Sequence, residues 1–248
     1  MQQFFVDKSQ IGKEYITITG DDVNHIKNAL RMKIGDKIRI SSGQGDDYMC
    51  TISEMSSEFV QADIDYDASN TELNQKIYLF QAIPKGQRMQ TVIEKCVELG
   101  VSHIIPVNMK YCVVKLTKEK ATARVAKYQA IAKSAAKQSK RSIIPAVGEV
   151  MDYEDAISFA KDNCDLIIVP YENYEGMKSF TNTMKLAGKA SSVAVFIGPE
   201  GGFAPEEIDK IKEHSRVISL GRRILRTDTA AICMLSLLMI NSEINEEI

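Results

Sequence analysis

Over roughly the first seventy residues, apolar positions come in short runs. Residues 15–19, 37–41, 48–52 and 59–64 are rich in Ile, Val, Thr and aromatic side chains, as half-buried strands are. Gly20-Asp21-Asp22, Gly35-Asp36 and Gly43-Gln44-Gly45-Asp46 punctuate them as turns. Val23, Ile26 and Leu30 recur at helical spacing, which predicts one short helix over 23–32 with Asp21 or Asp22 at its cap. Several short strands with one helix predict a small barrel. The polar stretch 65–74 reads as a linker.

Beyond it the pattern changes. Residues 77–83 (IYLFQAI) form an unbroken apolar run, as expected of a strand covered on both faces. Met89, Val92, Ile93, Cys96 and Leu99 then mark one face of a helix over 88–99, with Gly100 placed to stop it. Strands are predicted at 103–107, 166–170, 193–197 and 217–220. Helices are predicted at 118–140, 153–161 and 205–213. This alternation predicts an α/β fold with a parallel sheet. A last helix, 229–244, is apolar almost all round and so should be buried in the sheet's flank or in a subunit interface.

Composition excludes several classes. The five cysteines are widely and irregularly spaced without a CxxC pair, and His25, His103 and His214 are isolated. Neither a disulfide framework nor a metal site is expected. The N-terminus lacks the basic-then-apolar order of a signal peptide. The longest apolar run, 230–240, is too short for a membrane span, which needs about 20 residues. The expectation is a soluble, cytoplasmic protein without membrane or metal.

The net charge of −2 hides an asymmetry. Residues 1–73 carry a net −6 and 142–248 a net −7, whereas 110–141 carry +9 with Glu119 as the sole acid. Lys120, Arg124 and Lys127 lie at helical spacing, and Lys133, Lys137, Lys140 and Arg141 extend the series. Such a run is often a solvated face. Solvated helices usually mix signs to form i,i+4 pairs, and this one does not. A single-sign stripe favours phosphate contact.

Two loops carry the remaining chemistry. Ile197-Gly198-Pro199-Glu200-Gly201-Gly202-Phe203 joins a strand to a helix starting at Pro205. Its glycines either make a structural turn or let the backbone approach a ligand. It is neither a Walker A loop nor the dinucleotide fingerprint, which counts against an oxidoreductase, and Glu206 and Glu207 oppose a phosphate site. In Ser219 to Ala230, three arginines follow a glycine within five residues. Bulky Ile224 and Leu225 there form a wall for an apolar ligand or staple the loop to the core.

Together these segments resemble the RsmE family, the small-subunit ribosomal RNA uridine-N3 methyltransferases of the SPOUT superfamily. The resemblance runs through His25-Ile26, Leu30 to Asp36, Pro84-Lys85-Gly86, Arg88-Met89, Lys95, Glu98 to Val101, Gln138-Ser139, Arg141, Pro145, the Gly-Pro-Glu-Gly-Gly loop and the Ile-Leu-Arg-Thr segment. It implies a PUA-like β-barrel RNA-binding domain at 1–72 and a SPOUT methyltransferase α/β domain with a deep trefoil knot at 73–248. It also implies a homodimer, with the 16S ribosomal RNA of the small ribosomal subunit as substrate. S-adenosylmethionine would be held by Pro170, Ile197, Gly198, Glu200, Gly202, Leu220, Gly221, Ile224, Leu225 and Arg226. RNA contacts would come from Arg31, Lys33, Lys85, Arg124, Lys127, Lys137 and Arg141. Methyl transfer to uracil N3 needs fixed positive charge near the carbonyl oxygens. Arg226 is the expected catalytic residue, with Arg88 or Arg141 contributing. Glu200 either acts as a base or shapes its loop. The competing readings are a SPOUT enzyme acting on another RNA position, such as a ribose 2′-hydroxyl, and a non-catalytic RNA-binding or assembly factor.

Overall fold

The computed structural model describes residues 1–114, 118–172 and 177–246. The chain forms two compact units, Met1–Glu72 with Ala136–Ile144, and Leu73–Ala135 with Pro145–Ile248.

The first unit is a five-stranded sheet. Its strands are β1 (Gln3–Phe5), β2 (Tyr15–Thr19), β3 (Lys37–Ser41), β4 (Asp47–Met55) and β5 (Phe59–Asp67), in the order β1-β3-β4-β5-β2. All neighbours are antiparallel except β1 on β3. Alternate residues point inward, so Ile16, Ile18, Ile38, Ile40, Cys50, Ile52 and Val60 meet Phe4 in one core. The helix expected over 23–32 is shorter and begins earlier. α1 spans Asp21–Asn24 and widens into a π turn over His25–Ala29, where the Leu30 N–H reaches the His25 carbonyl at 2.9 Å. Val23 and Ile26 still fall into the core. The chain leaves the turn through Arg31 at φ 53°, so the helix cannot run on to 32. Arg31 and Lys33 are both exposed.

The segment 136–144 carries two of the residues expected to meet RNA, Arg141 and Lys137. Arg141 is 4% exposed. Its Nε lies 2.9 and 3.0 Å from the two Glu72 carboxylate oxygens, and the amides of Ser142 and Ile143 close on the same carboxylate at 2.9 and 3.0 Å. The Arg141 carbonyl accepts from Gln3 Nε2 at 2.7 Å. A guanidinium so enclosed binds the segment to its own unit and presents no face to RNA or to a uracil. Lys137 is half-buried. Its Nζ sits 2.7 Å from Asp22 and 4.4 Å above the Phe4 ring, so its charge is already matched.

The second unit is a parallel sheet, β6 (Lys76–Ala82), β7 (His103–Asn108), β8 (Ala146–Val147), β9 (Met151–Asp152), β10 (Leu166–Pro170), β11 (Ser192–Ile197) and β12 (Arg216–Ile218). The order is β12-β10-β11-β6-β7-β8, with β9 also on β7, and every pair is parallel. Phe196 and Phe80 are in register on β11 and β6, and their rings stack at 4.4 Å. The two-residue strands β8 and β9 carry no periodic signal and were not anticipated.

The helices are α2 (Arg88–Glu98), α3 (Lys118–Ser139), α4 (Tyr153–Asn163), α5 (Lys178–Ala187), α6 (Pro205–Ile211) and α7 (Thr227–Glu246). Met89, Val92, Ile93 and Cys96 are the buried face of α2, and Gly100 ends it at φ 89°. On α3, Lys120, Lys127 and Lys133 are exposed and Arg124 is half-buried. Lys115, part of the basic run, lies outside the described residues. All five cysteines are free thiols. Among the described residues no helix is long and apolar enough to cross a membrane, and no cluster of metal-ligating side chains occurs.

Candidate active site

In a parallel sheet the carboxyl ends of all strands share one edge, and ligands of open α/β sheets sit there. In the second unit the loops after β6, β10, β11 and β12 converge on a cavity of about 330 Å³. Its lining includes Arg88, Pro170, Ile197, Gly198, Glu200, Gly202, Ile224, Leu225 and Arg226. A smaller recess shares Pro170, Leu225 and Ala230 and adds Leu220 and Gly221. All ten residues expected to hold the cofactor therefore line one or other of two adjoining hollows, together with Arg88.

The loop after β11 folds back tightly, the Gly202 N–H donating to the Pro199 carbonyl at 2.9 Å. Gly202 has φ 71°, and a Cβ there would stand 2.1 Å from a Glu172 carboxylate oxygen. The positive φ is what favours glycine here, since the exposed Glu172 carboxylate could swing aside. A Cβ at Gly198 would press the Phe203 ring at 3.1 Å. The glycines thus keep the wall thin and the hollow open.

The first turn of α7 fixes the loop from behind. Thr227 is buried, and its hydroxyl donates to the Gly198 carbonyl at 2.7 Å while accepting from Gln81 Nε2 at 2.9 Å. Tyr171 N–H donates to Ile218 O at 2.9 Å, joining the loops after β10 and β12. The glutamates of α6 serve elsewhere. Glu207 accepts the Ala204 and Lys110 amides, each at 2.8 Å, and Glu206 pairs with Lys110.

Glu200 ties the wall to the loop after β6. Its Oε1 accepts from the Lys85 amide at 3.0 Å and from Arg88 at 2.5 Å. Burial alone would raise its carboxyl pKa. The amides of Glu200 and Lys85 and the Arg88 guanidinium outweigh that and hold it below the ordinary carboxylate value. Arg226 is exposed on the lining, and among the described residues no hydrogen bond or ion pair holds its guanidinium. Ile224, beside it, is 87% exposed at the rim.

The expected cofactor set leaves out Glu172, Pro199, Phe203, Thr227 and Ala230 of this lining. Thr227 is a recognisable helix start, but its bond to Gly198, 29 positions away, leaves no local trace. Glu172 precedes the undescribed residues 173–176 and sits in no periodic pattern.

Comparison with known proteins agrees with this geometry. Residues 71–239 match the model of an RNA methyltransferase domain, and 18–65 that of an RNA methyltransferase PUA domain. The chain is 34% identical over 98% of both lengths to the ribosomal RNA small subunit methyltransferase E of Bacillus subtilis. It is similar to the crystal structure of a ribosomal RNA small subunit methyltransferase E from Neisseria gonorrhoeae bound to S-adenosylmethionine (TM-score 0.82, 26% identity, 97% of each chain). It is also similar to a Legionella pneumophila protein solved with S-adenosylmethionine as bound cofactor (TM-score 0.77, 30% identity, 96% of each chain). By the extent of these matches, the chain belongs to the ribosomal RNA small subunit methyltransferase E family.

Proposed function

We propose that this protein transfers the methyl group of S-adenosylmethionine to N3 of one uridine in the 16S ribosomal RNA of the small ribosomal subunit. The observation that carries this reading is the gathering of every expected cofactor residue around two adjoining hollows at the carboxyl edge of the sheet.

The residues present fit such a cofactor. Ile197, Leu225 and Phe203 give apolar surface for an adenine ring, and the thin glycine wall lets backbone amides and carbonyls approach its edge. Glu172 supplies a carboxylate on the same lining for a cationic group. When bound, the cofactor supplies an electrophilic sulfonium methyl.

The remaining work falls to the chain's own side chains. Uracil N3 is a poor nucleophile until its proton passes to solvent water, after which negative charge spreads to O2 and O4. Arg226, uncommitted on the lining, would face that charge as a fixed cation. Arg88, already bound to Glu200, would hold the opposite wall and add to the positive field. Glu200, held ionised by its partners, acts as a strut of the wall rather than as a base. Exposed Arg31 and Lys33 of the first unit, and Lys85, Arg124 and Lys127 of the second, would meet RNA phosphates.

A homodimer is part of the proposal. Ile240 and Ile244 on α7 are 49% and 54% exposed, an apolar end that a second copy would cover. The deep knot implied by the family and a cytoplasmic location belong to the same reading.

Incubation with methyl-labelled S-adenosylmethionine and unmethylated small subunits tests it. The expected product is N3-methyluridine in the digested 16S RNA, read by mass spectrometry. Label on a ribose, or cofactor binding without any transfer, would overturn it.

A further inference from the structure

Outside the cavity, the turn after β7 holds an arrangement with no structural duty to explain it. Residues 109–112 are pinned at both ends. Met109 is 4% and Cys112 7% exposed, the Cys112 N–H donates to the Met109 carbonyl at 3.1 Å, and the Lys110 amide is held by Glu207 at 2.8 Å. Between these anchors Tyr111 is turned outward, 42% exposed. An aromatic side chain left 42% exposed forgoes part of its apolar burial.

What Tyr111 does touch is the glycine loop after β11, between two residues of the cavity lining. A Cβ on Gly201 would lie 2.9 Å from the Tyr111 Cβ and 3.7 Å from its ring Cδ2. Gly201 is not among the glycines with positive φ, so its backbone does not demand glycine. The seat for Tyr111 does. Gly201 stands between Glu200 and Gly202, both on the cavity lining. The charges beside this loop are paired, Lys110 with Glu206 and Arg88 with Glu200. Lys110 Nζ lies 5.8 Å from the Tyr111 ring centroid, and Glu200 also accepts the Lys85 backbone amide.

An exposed ring on an anchored turn, packed against the loop of a cleft, is one way proteins hold unpaired bases. Stacking supplies the affinity and accepts any base, since every base has a π face. We propose that Tyr111 is a stacking platform for an unpaired base of the substrate RNA at the entrance to the methyl-transfer cavity. The inference rests on the proposed RNA methylation and adds a positioning residue to it. Tyr111 does not touch the methyl or N3. It holds the extruded strand so that the target uracil lies over Arg226 and the cofactor hollow, offsetting part of the unstacking cost.

Two measurements test it. The sequence has no tryptophan, so Tyr111→Trp places a single indole at the platform. Titration of that variant with unmethylated small subunits should quench its emission, and cofactor alone should not. In kinetics with the same subunits, Tyr111→Phe and Tyr111→Trp should stay within about two-fold of wild type, since each keeps a π face. Tyr111→Leu, which keeps apolar bulk without one, should raise KM for subunits roughly 5- to 150-fold, with cofactor affinity by calorimetry unchanged. Absence of quenching, or a Tyr111→Leu enzyme with wild-type KM, would overturn the platform while leaving the methylation reading intact. A wild-type enzyme that transfers no methyl would sink that reading instead, and quenching by the subunits would still decide whether Tyr111 meets RNA.

Discussion

Arg141 and Arg226 look alike in the sequence, each followed by a hydroxyl residue, Ser142 and Thr227, and each in a segment resembling one family. The structure gives them opposite surroundings. Arg141, in the first unit, is 4% exposed and enclosed with Glu72. Arg226, in the second, is exposed on a cavity lining with its guanidinium unclaimed among the described residues. A buried cation must be matched, because desolvating it alone costs several kcal/mol. A cation left uncommitted at a cavity is available to a ligand. The same contrast separates Lys137, matched by Asp22, from the exposed Lys127 on the same helix.

The hardest test of the contrast is Arg141→Ala. It leaves the Glu72 carboxylate in place without its main partner, which predicts a loss of about 3–5 kcal/mol of stability. Urea unfolding measures it. Cofactor affinity of the folded fraction should be unaltered. A loss under about 1 kcal/mol would make Arg141 an ordinary surface cation and reopen its assignment to RNA.

Arg226→Ala should invert that outcome. Stability should shift by no more than about 0.5 kcal/mol, while turnover on small subunits falls roughly 100- to 1,000-fold. A variant that methylates at the wild-type rate would remove Arg226 from catalysis.

The sequence makes this contrast only half legible. The parallel sheet could be read because its long strands β6, β7, β10 and β11 are mostly apolar runs, and its carboxyl edge then follows from topology. The glycine-rich loop after β11 and the arginine-rich loop after β12 announce themselves by composition. Which cations are matched does not. Glu72 and Arg141 are 69 positions apart, and Gln81, Thr227 and Gly198 meet from three distant segments. The short β1 is not legible because three residues carry no period, and α5 is not because Ser179, Thr181, Asn182 and Thr183 are weak helix formers.

Smaller effects refine the picture. Thr227→Val removes the hydroxyl that bonds Gly198 and leaves the buried Gln81 amide short of an acceptor. The expected cost is about 1–3 kcal/mol, read as weaker cofactor binding and a lower melting temperature. Unchanged cofactor affinity would mean that the Gly198 wall does not bear on the ligand. For RNA, Lys127→Ala should lower the slope of log affinity against log salt by about 1. Lys137→Ala should lower it by less, since Asp22 already neutralises that charge. Equal slopes for both variants would erase the distinction between matched and unmatched cations on α3.

The finest distinction concerns Glu200, a matched charge at the cavity itself. Its carboxyl is held below the ordinary value of about 4.3. A lowered carboxyl contributes stability above its unfolded pKa and loses it as pH falls through the folded one. The Arg88–Glu200 strut should therefore be intact, and cofactor affinity flat, from about pH 6 to 8, weakening only in acid below about 4. Both side chains are partly exposed, so Glu200→Gln should cost no more than about 1 kcal/mol of cofactor affinity at neutral pH. The variant and wild type should converge in acid, where the wild-type carboxyl is protonated. A catalytic base at this position would behave otherwise. Its loss would lower kcat at least about 100-fold at neutral pH while sparing cofactor binding. Isothermal titration across pH, paired with turnover of the same variant, separates a strut from a base.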